Sequence, residues 1–154
     1  MARSFSAFTL TAEQVALVFP LVHAAAPEID LGRWQNFAHP LVDGPAPSSS
    51  GALGLRNAAG YVCGLLIFRA ERDLRHGMAL AIDLFVALDL VNDEEATHAL
   101  MQAAEIKARE LQCAAVHIRL GAAQKALADR LAAAGHCREA TLFCKAVAGG
   151  APPN

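Results

Sequence analysis

Asp83 stands inside an otherwise apolar run, Ala79 to Leu88, and a carboxylate on a covered strand must either find a partner or be put to use. Projecting from a central strand beside a cleft, it can accept a proton from an ammonium group directly or through water, which is the work of a general base. The alternative for the same residue is an acid paired or solvated at a strand edge. His117 and Arg119 share one face of a short strand further on, where an imidazole base beside a guanidinium clamp for anions is one reading and a satisfied strand histidine the other. Trp34, Phe37 and His39 suit either an acceptor pocket or a helix-packing stripe. Cys63, Cys113, Cys137 and Cys144 lie far apart in apolar company, with no Cys-x-x-Cys pair and no histidine at ligand spacing beside them. They read as buried free thiols in a reducing compartment, and no metal site is expected.

Several kinds of chemistry are excluded. No Gly-x-Ser-x-Gly elbow, His-Glu-x-x-His pair or Walker loop occurs. Gly51-Ala-Leu-Gly54 has no strand before it and no helix after it, so it lacks the mechanism of a dinucleotide loop. A formal net charge of -2 on 154 residues, with both signs scattered, offers no footprint for nucleic acid. The local basic cluster of Arg69, Arg72 and Arg75 is interleaved with Glu71 and Asp73 and reads as a solvated hairpin end. Arg3 followed by the apolar stretch Val15 to Val22 and then Ala24, Ala25 and Ala26 loosely imitates a secretory signal, but Glu13 and Gln14 argue against one, and Thr11 with Gln14 makes a capping box that begins an ordinary helix. The run from Gly77 to Val91 contains Asp83 and Asp89 and is too short for a membrane helix. A cytoplasmic protein without membrane partner is expected.

The elements that must position these residues follow from periodicity. With 55% hydrophobic residues the chain can bury one core, and residues 1–147 are expected to form a single domain. Ser4 to Leu10 reads as a first strand, the helix capped at Thr11 is interrupted by Pro20, and a second helix runs from Asp30 until Pro40 stops it. Asp43 to Gly51, rich in Gly, Pro and Ser, reads as a mobile loop. Ala52 to Asn57 and Tyr61 to Arg69 form a hairpin around Asn57-Ala-Ala-Gly60. Ala79 to Asp89 alternates strictly, with Leu80, Ile82, Leu84, Val86 and Leu88 on one face and Ala81, Asp83, Phe85, Ala87 and Asp89 on the other. Asn92 and Glu95 form a capping box at the start of a long helix that turns Ala96, Leu100, Ala103, Ala104, Ala108 and Leu111 inward. Ala114 to Leu120 is a strand, Gln124 to Ala134 a helix closed by Gly135, and Thr141 to Val147 a last strand. Residues 148–154, with paired Gly and paired Pro, are expected to be a disordered tail.

That order, alternating strands and helices, implies an α/β (α+β) mixed sheet, mostly antiparallel, flanked by helices. It resembles the GNAT superfamily of N-acetyltransferases over nearly the whole chain. The hairpin Asn57-Ala-Ala-Gly60-Tyr-Val-Cys-Gly64 resembles the family's hairpin with glycine in its second strand. Ala79 to Leu88 resembles its central fourth strand, and Leu131-Ala-Ala-Ala-Gly135-His136 its final helix.

The resemblance implies transfer of an acetyl or other acyl group from acetyl-CoA to a small-molecule or peptide amine; a homodimer is an expectation only of the non-catalytic alternative given below. It implies that backbone groups of Phe85, Val86, Ala87 and Leu88 receive the cofactor, together with Asn92, Ala96 and Thr97 at the helix start and Gln124 at the start of the last helix. Asp83 is the candidate base. The family's pyrophosphate pattern, Arg or Gln, two residues, Gly, one residue, then Gly or Ala, falls here on Asn92, Glu95 and Thr97, and no glycine occurs between Gly77 and Gly121. Asp93, Glu94 and Glu95 bring anions to a helix terminus whose dipole would otherwise attract phosphate. A non-catalytic binding or regulatory protein of the same fold is therefore the second expectation.

Overall fold

The structure, a computed structural model, describes residues 5–44 and 48–148. The chain runs β1 (Ser6–Thr9), a single 3-10 turn (Ala12–Gln14), α1 (Phe19–Ala25), α2 (Leu31–Val42), β2 (Ser50–Arg56), β3 (Val62–Asp73), β4 (Gly77–Ala87), α3 (Asp93–Glu110), β5 (Ala115–Ile118) and α4 (Lys125–Ala133). The strands lie in sequence order, antiparallel from β1 to β4, with β5 parallel to β4. One face packs Leu66, Phe68, Leu80, Ile82 and Phe85 against Ala96, Leu100 and Ala104 of α3 and Leu131 of α4. The other packs Leu65, Ile67 and Val86 against Val15, Val18, Val22 and Trp34. No helix among the described residues is long and apolar enough to cross a membrane.

The hairpin ends are fixed by polar side chains. Asn57 Oδ1 accepts from the amides of Ala59 and Tyr61, both at 3.0 Å, and Gly60 takes φ +89, a left-handed conformation that suits glycine. At the β3–β4 turn Asp73 Oδ2 accepts from the amides of Arg75 and His76. Gly51 and Gly54 belong to β2, where absence of a side chain lets the Phe68 and Phe8 rings lie against the strand.

Several expectations are corrected. The Thr11–Gln14 capping box forms, but over one 3-10 turn, and Pro20 sits in the first turn of α1, where its missing N–H costs nothing. Pro40 lies inside α2 rather than ending it; only the final turn follows, so one backbone bond is lost. β2 starts at Ser50, within the expected loop, of which Pro45, Ala46 and Pro47 fall outside the described residues. Ser4 and, Ala148 apart, the expected tail also fall outside them. Asn92 makes no side-chain cap on α3. Thr141–Val147 is not a strand: it pairs with no strand among the described residues, and Leu142, Phe143 and Val147 are 67%, 90% and 80% exposed. An extended segment needs a partner edge as well as propensity. Cys63 alone of the thiols is buried, with its pKa pushed up to about 11 by burial first and the Asp89 charge second, whereas Cys137 and Cys144 are exposed.

The strict alternation of β4 fails at one residue. Ile67 faces Leu84 while the next residue, Phe68, faces Ile82, so Asp83 is the extra residue of a β-bulge. Beyond it the faces exchange. Phe85 and Ala87 join Leu80 and Ile82 under α3, while Leu84 and Val86 turn to the opposite core.

Candidate functional site: a fork between two parallel strands

The bulge coincides with the place where β4 and β5 part. Their pairing runs from Ala79–Ala115 to Ile82–Ile118, and the Arg119 amide makes a further bond to the Ile82 carbonyl at 2.9 Å. β4 then continues through Ala87 without β5 beside it. In an antiparallel ladder alternate residues direct their backbone groups to one neighbour. The Leu88 amide bonds the Cys63 carbonyl at 2.7 Å, so Leu88 and, by alternation, Val86 serve β3. Phe85 and Ala87 face the fork.

Two side chains span the opening. Arg119, the first residue after β5, sends Nη1 to Asp83 Oδ1 at 2.9 Å, and Arg69 of β3 approaches the same carboxylate with Nε at 2.9 Å from Oδ2 and Nη2 at 3.3 Å from Oδ1. Arg69 also bonds Glu71. Its guanidinium pKa is raised, chiefly by the hydrogen bond to Asp83. Further along, Gln124 Nε2 donates to the Phe85 carbonyl at 3.1 Å while the Gly121 amide donates to Gln124 Oε1 at 3.0 Å. Gln124 thus stands in for the missing strand, satisfying a carbonyl that β5 has abandoned.

The start of α3 closes one side of this region. Ala96 is fully buried and its amide bonds the Asn92 carbonyl at 3.1 Å; Thr97 is 1% exposed and its hydroxyl donates to the Asp93 carbonyl at 2.9 Å. Both point into the protein, so the amides lacking an intrahelical partner include those of Asp93 and Glu94. Asp93 is itself engaged, accepting from the Asp89 amide at 2.9 Å and from Arg130 Nη1 of α4 at 3.0 Å. Asp83, Phe85, Ala87 and Gln124 are thus brought together at the fork. Val86, Leu88, Ala96 and Thr97 direct their backbone groups or side chains elsewhere.

His117 and Arg119 do not work as a pair: Arg119 turns to Asp83, while His117 lies near His76 and Glu139. Trp34 is a packing residue whose indole N–H donates to the Val15 carbonyl at 2.7 Å, and Phe37 is half exposed. Sequence reasoning missed Arg69 and Arg130. Arg69 had a signal, since an acid in an apolar strand requires a cation on a neighbouring strand; Arg130 had none, because only the packing of α4 brings it to α3.

No protein-family profile matches the chain, and no curated protein matches it either. Solved structures do. An aminoglycoside N-acetyltransferase in complex with CoA superposes with a TM-score of 0.77 at 9% identity, over 95% of this chain and 97% of the other. An aminoglycoside antibiotic 6'-N-acetyltransferase from Acinetobacter baumannii gives 0.75 at 12% identity, over 95% and 100%. A ribosomal-protein-alanine N-acetyltransferase from Brucella melitensis biovar Abortus 2308 gives 0.72 at 14%, over 94% and 100%. The five-stranded mixed sheet, the order of its helices and these superpositions agree with the resemblance in the sequence: the chain has the GNAT N-acetyltransferase fold.

Proposed function

We propose that the chain is an acyl-CoA N-acyltransferase that transfers an acetyl or related acyl group to an amine. The fork carries this reading: Phe85 and Ala87 present backbone groups on an unpaired strand edge beside a helix N-terminus, and an extended amide-bearing arm can add to such an edge as a strand would. The pantetheine arm of acetyl-CoA has that chemistry, and acetyltransferases of the same fold include one solved with CoA. Bound there, the thioester would supply the activated acyl carbonyl. Gln124, which now holds the Phe85 carbonyl, would release it to a donor on the arm.

The diphosphate end fits less well. Asp93 and Glu94 stand where phosphate would approach, and Arg130, tied to Asp93, is the cation beside them. This favours a second reading, in which the protein is a non-catalytic binding or regulatory relative that has lost acetyl-CoA. Asp83 enters the first reading as a positioning residue, because both its oxygens already meet guanidinium donors. The base role expected from sequence would require Arg119 to leave.

Calorimetric titration with acetyl-CoA and with CoA separates the readings. Binding by the unmodified chain, tightened about two- to fivefold in Glu94→Gln, is expected from removing one anion worth about 0.3–1 kcal/mol at the helix terminus. Absence of binding in both proteins would establish the second reading. Thr97→Gly is a poor probe, since it removes a buried side chain and its hydrogen bond.

A further inference from the structure

At the opposite end of β4 from the fork, four side chains from separate parts of the chain converge. Asp73 ends β3, His76 lies in the β3–β4 turn, His117 is in β5, and Glu139 follows α4. One donor atom from each of Asp73, His76 and His117 lies within 4.8 Å of the other two. Glu139 reaches the same place: Oε1 is 2.8 Å from His76 Nε2 and Oε2 is 3.6 Å from His117 Nε2. The two imidazoles meet edge to face, with centroids 5.4 Å apart. His117 Nε2 is buried and, among the described residues, has no hydrogen-bond partner, Glu139 standing beyond bonding distance at 3.6 Å; this is costly for a polar atom and expected of a ligand atom awaiting its ion.

We propose that Asp73, His76, His117 and Glu139 bind one divalent transition-metal ion, zinc foremost, which clamps the chain beyond α4 to the β3–β4 hairpin. Two imidazoles and two carboxylates form a donor set of the kind zinc accepts, at about 2.0–2.2 Å per ligand in a tetrahedron, which places ligand atoms roughly 3.4 Å apart. Glu139 stands 2.8 and 3.6 Å from the two imidazoles, on either side of that value, and the donors of Asp73, His76 and His117 lie within 4.8 Å of one another. Asp73 Oδ2 is held by the turn amides, so Oδ1 is the oxygen available. Arg75 Nη1, 3.9 Å from Glu139 and on a side chain 66% exposed, swings into solvent when the ion takes its place. The clamp accounts for the course of the chain after α4: residues 136–147 form no helix or strand, yet Glu139 is drawn onto the hairpin. The site is independent of acyl transfer.

Cobalt(II) titration of the chelator-treated full chain, read by visible absorption and followed by displacement with zinc, tests the proposal. One equivalent should bind with the intense d–d bands of a tetrahedral ion. Zinc should slow tryptic cleavage at Lys145. His76→Ala and Glu139→Gln, whose native side chains are 33% and 35% exposed, should each weaken binding by more than the about 10- to 100-fold typical of losing an outer-shell partner, with the thermal midpoint in chelator falling by no more than the loss of the His76–Glu139 contact explains. His117→Ala should do the same. No binding, equal binding by the His76→Ala variant, or a thiolate-to-cobalt charge-transfer band placing the ion on Cys137 or Cys144 would overturn it.

Discussion

Replacing Asp83 with asparagine keeps the shape of the side chain and removes its charge, leaving an amide that can accept from one guanidinium but presents N–H donors to the other. Three contacts are affected, at 2.9, 3.3 and 2.9 Å. A hydrogen bond to a charged group is worth about 1.5–3 kcal/mol when well protected, but Arg69 and Arg119 are 40% and 47% exposed and Asp83 23%, so water screens each pair toward the roughly 0–1 kcal/mol of surface ion pairs. Arg69 keeps Glu71 in the variant. The expected loss is about 1–2 kcal/mol, or about 2–8 °C in Tm for a chain of this size. Urea unfolding at low and high salt measures it, and high salt should shrink the difference. A double-mutant cycle with Arg119→Met should show coupling of about 0.5–1 kcal/mol. If Asp83→Asn changes stability by less than about 0.3 kcal/mol and the cycle shows no coupling, the strut across the fork is not one. Should the same variant abolish acyl transfer at unchanged stability, the carboxylate is the base.

Two further outcomes follow from packing. A Cβ on Gly64 would lie 2.9 Å from the Leu55 Cβ and 3.5 Å from Leu100, so Gly64→Ala should destabilise by about 1–3 kcal/mol in equilibrium denaturation, the range for overpacking a core; an unchanged midpoint would mean that β2 and β3 shift freely. In thiol labelling at pH 8, Cys137 and Cys144 should react quickly and Cys63 only on unfolding, since burial raises the Cys63 pKa to about 11. Rapid reaction of all four thiols, rather than of Cys137, Cys144 and the half-buried Cys113, would contradict the packing around Cys63.

The elements were legible wherever the signal is local. Asn57 and Gly60 made the hairpin because their side chain and backbone supply what the turn requires, and the inward stripe of α3 needed only its own spacing. The bulge was not legible by alternation, because an extra residue in β4 is decided by its pairing with β3. Yet Asp83 marked the spot, since a carboxylate in an apolar strand fits best where the ladder is interrupted and arginines from both neighbours reach it. The last expected strand failed for the converse reason. Thr141–Val147 has strand composition, but β5 ends the sheet of one chain and nothing in the sequence between them specifies an edge pairing.

The two ends of the fork are governed differently. Its backbone half follows from register: as long as Asp83 is an extra residue and Arg119 and Gln124 tie the diverging strands, Phe85 and Ala87 face the opening whatever side chains they carry. The helix start depends on side chains alone, and there the fold gains from being unlike a phosphate seat. Asp93 satisfies the Asp89 amide and Arg130, and Asp93 and Glu94 each add about 0.3–1 kcal/mol against the helix dipole. Thr97 fills buried space that glycine would leave empty. A sequence free of the need to bind diphosphate would drift in this direction because stability favours it, whereas the fork would persist because removing it means re-registering the sheet. The fork therefore supplies the place for an acyl-CoA arm, and acetyl-CoA binding at the helix start is the property that decides between the two functions.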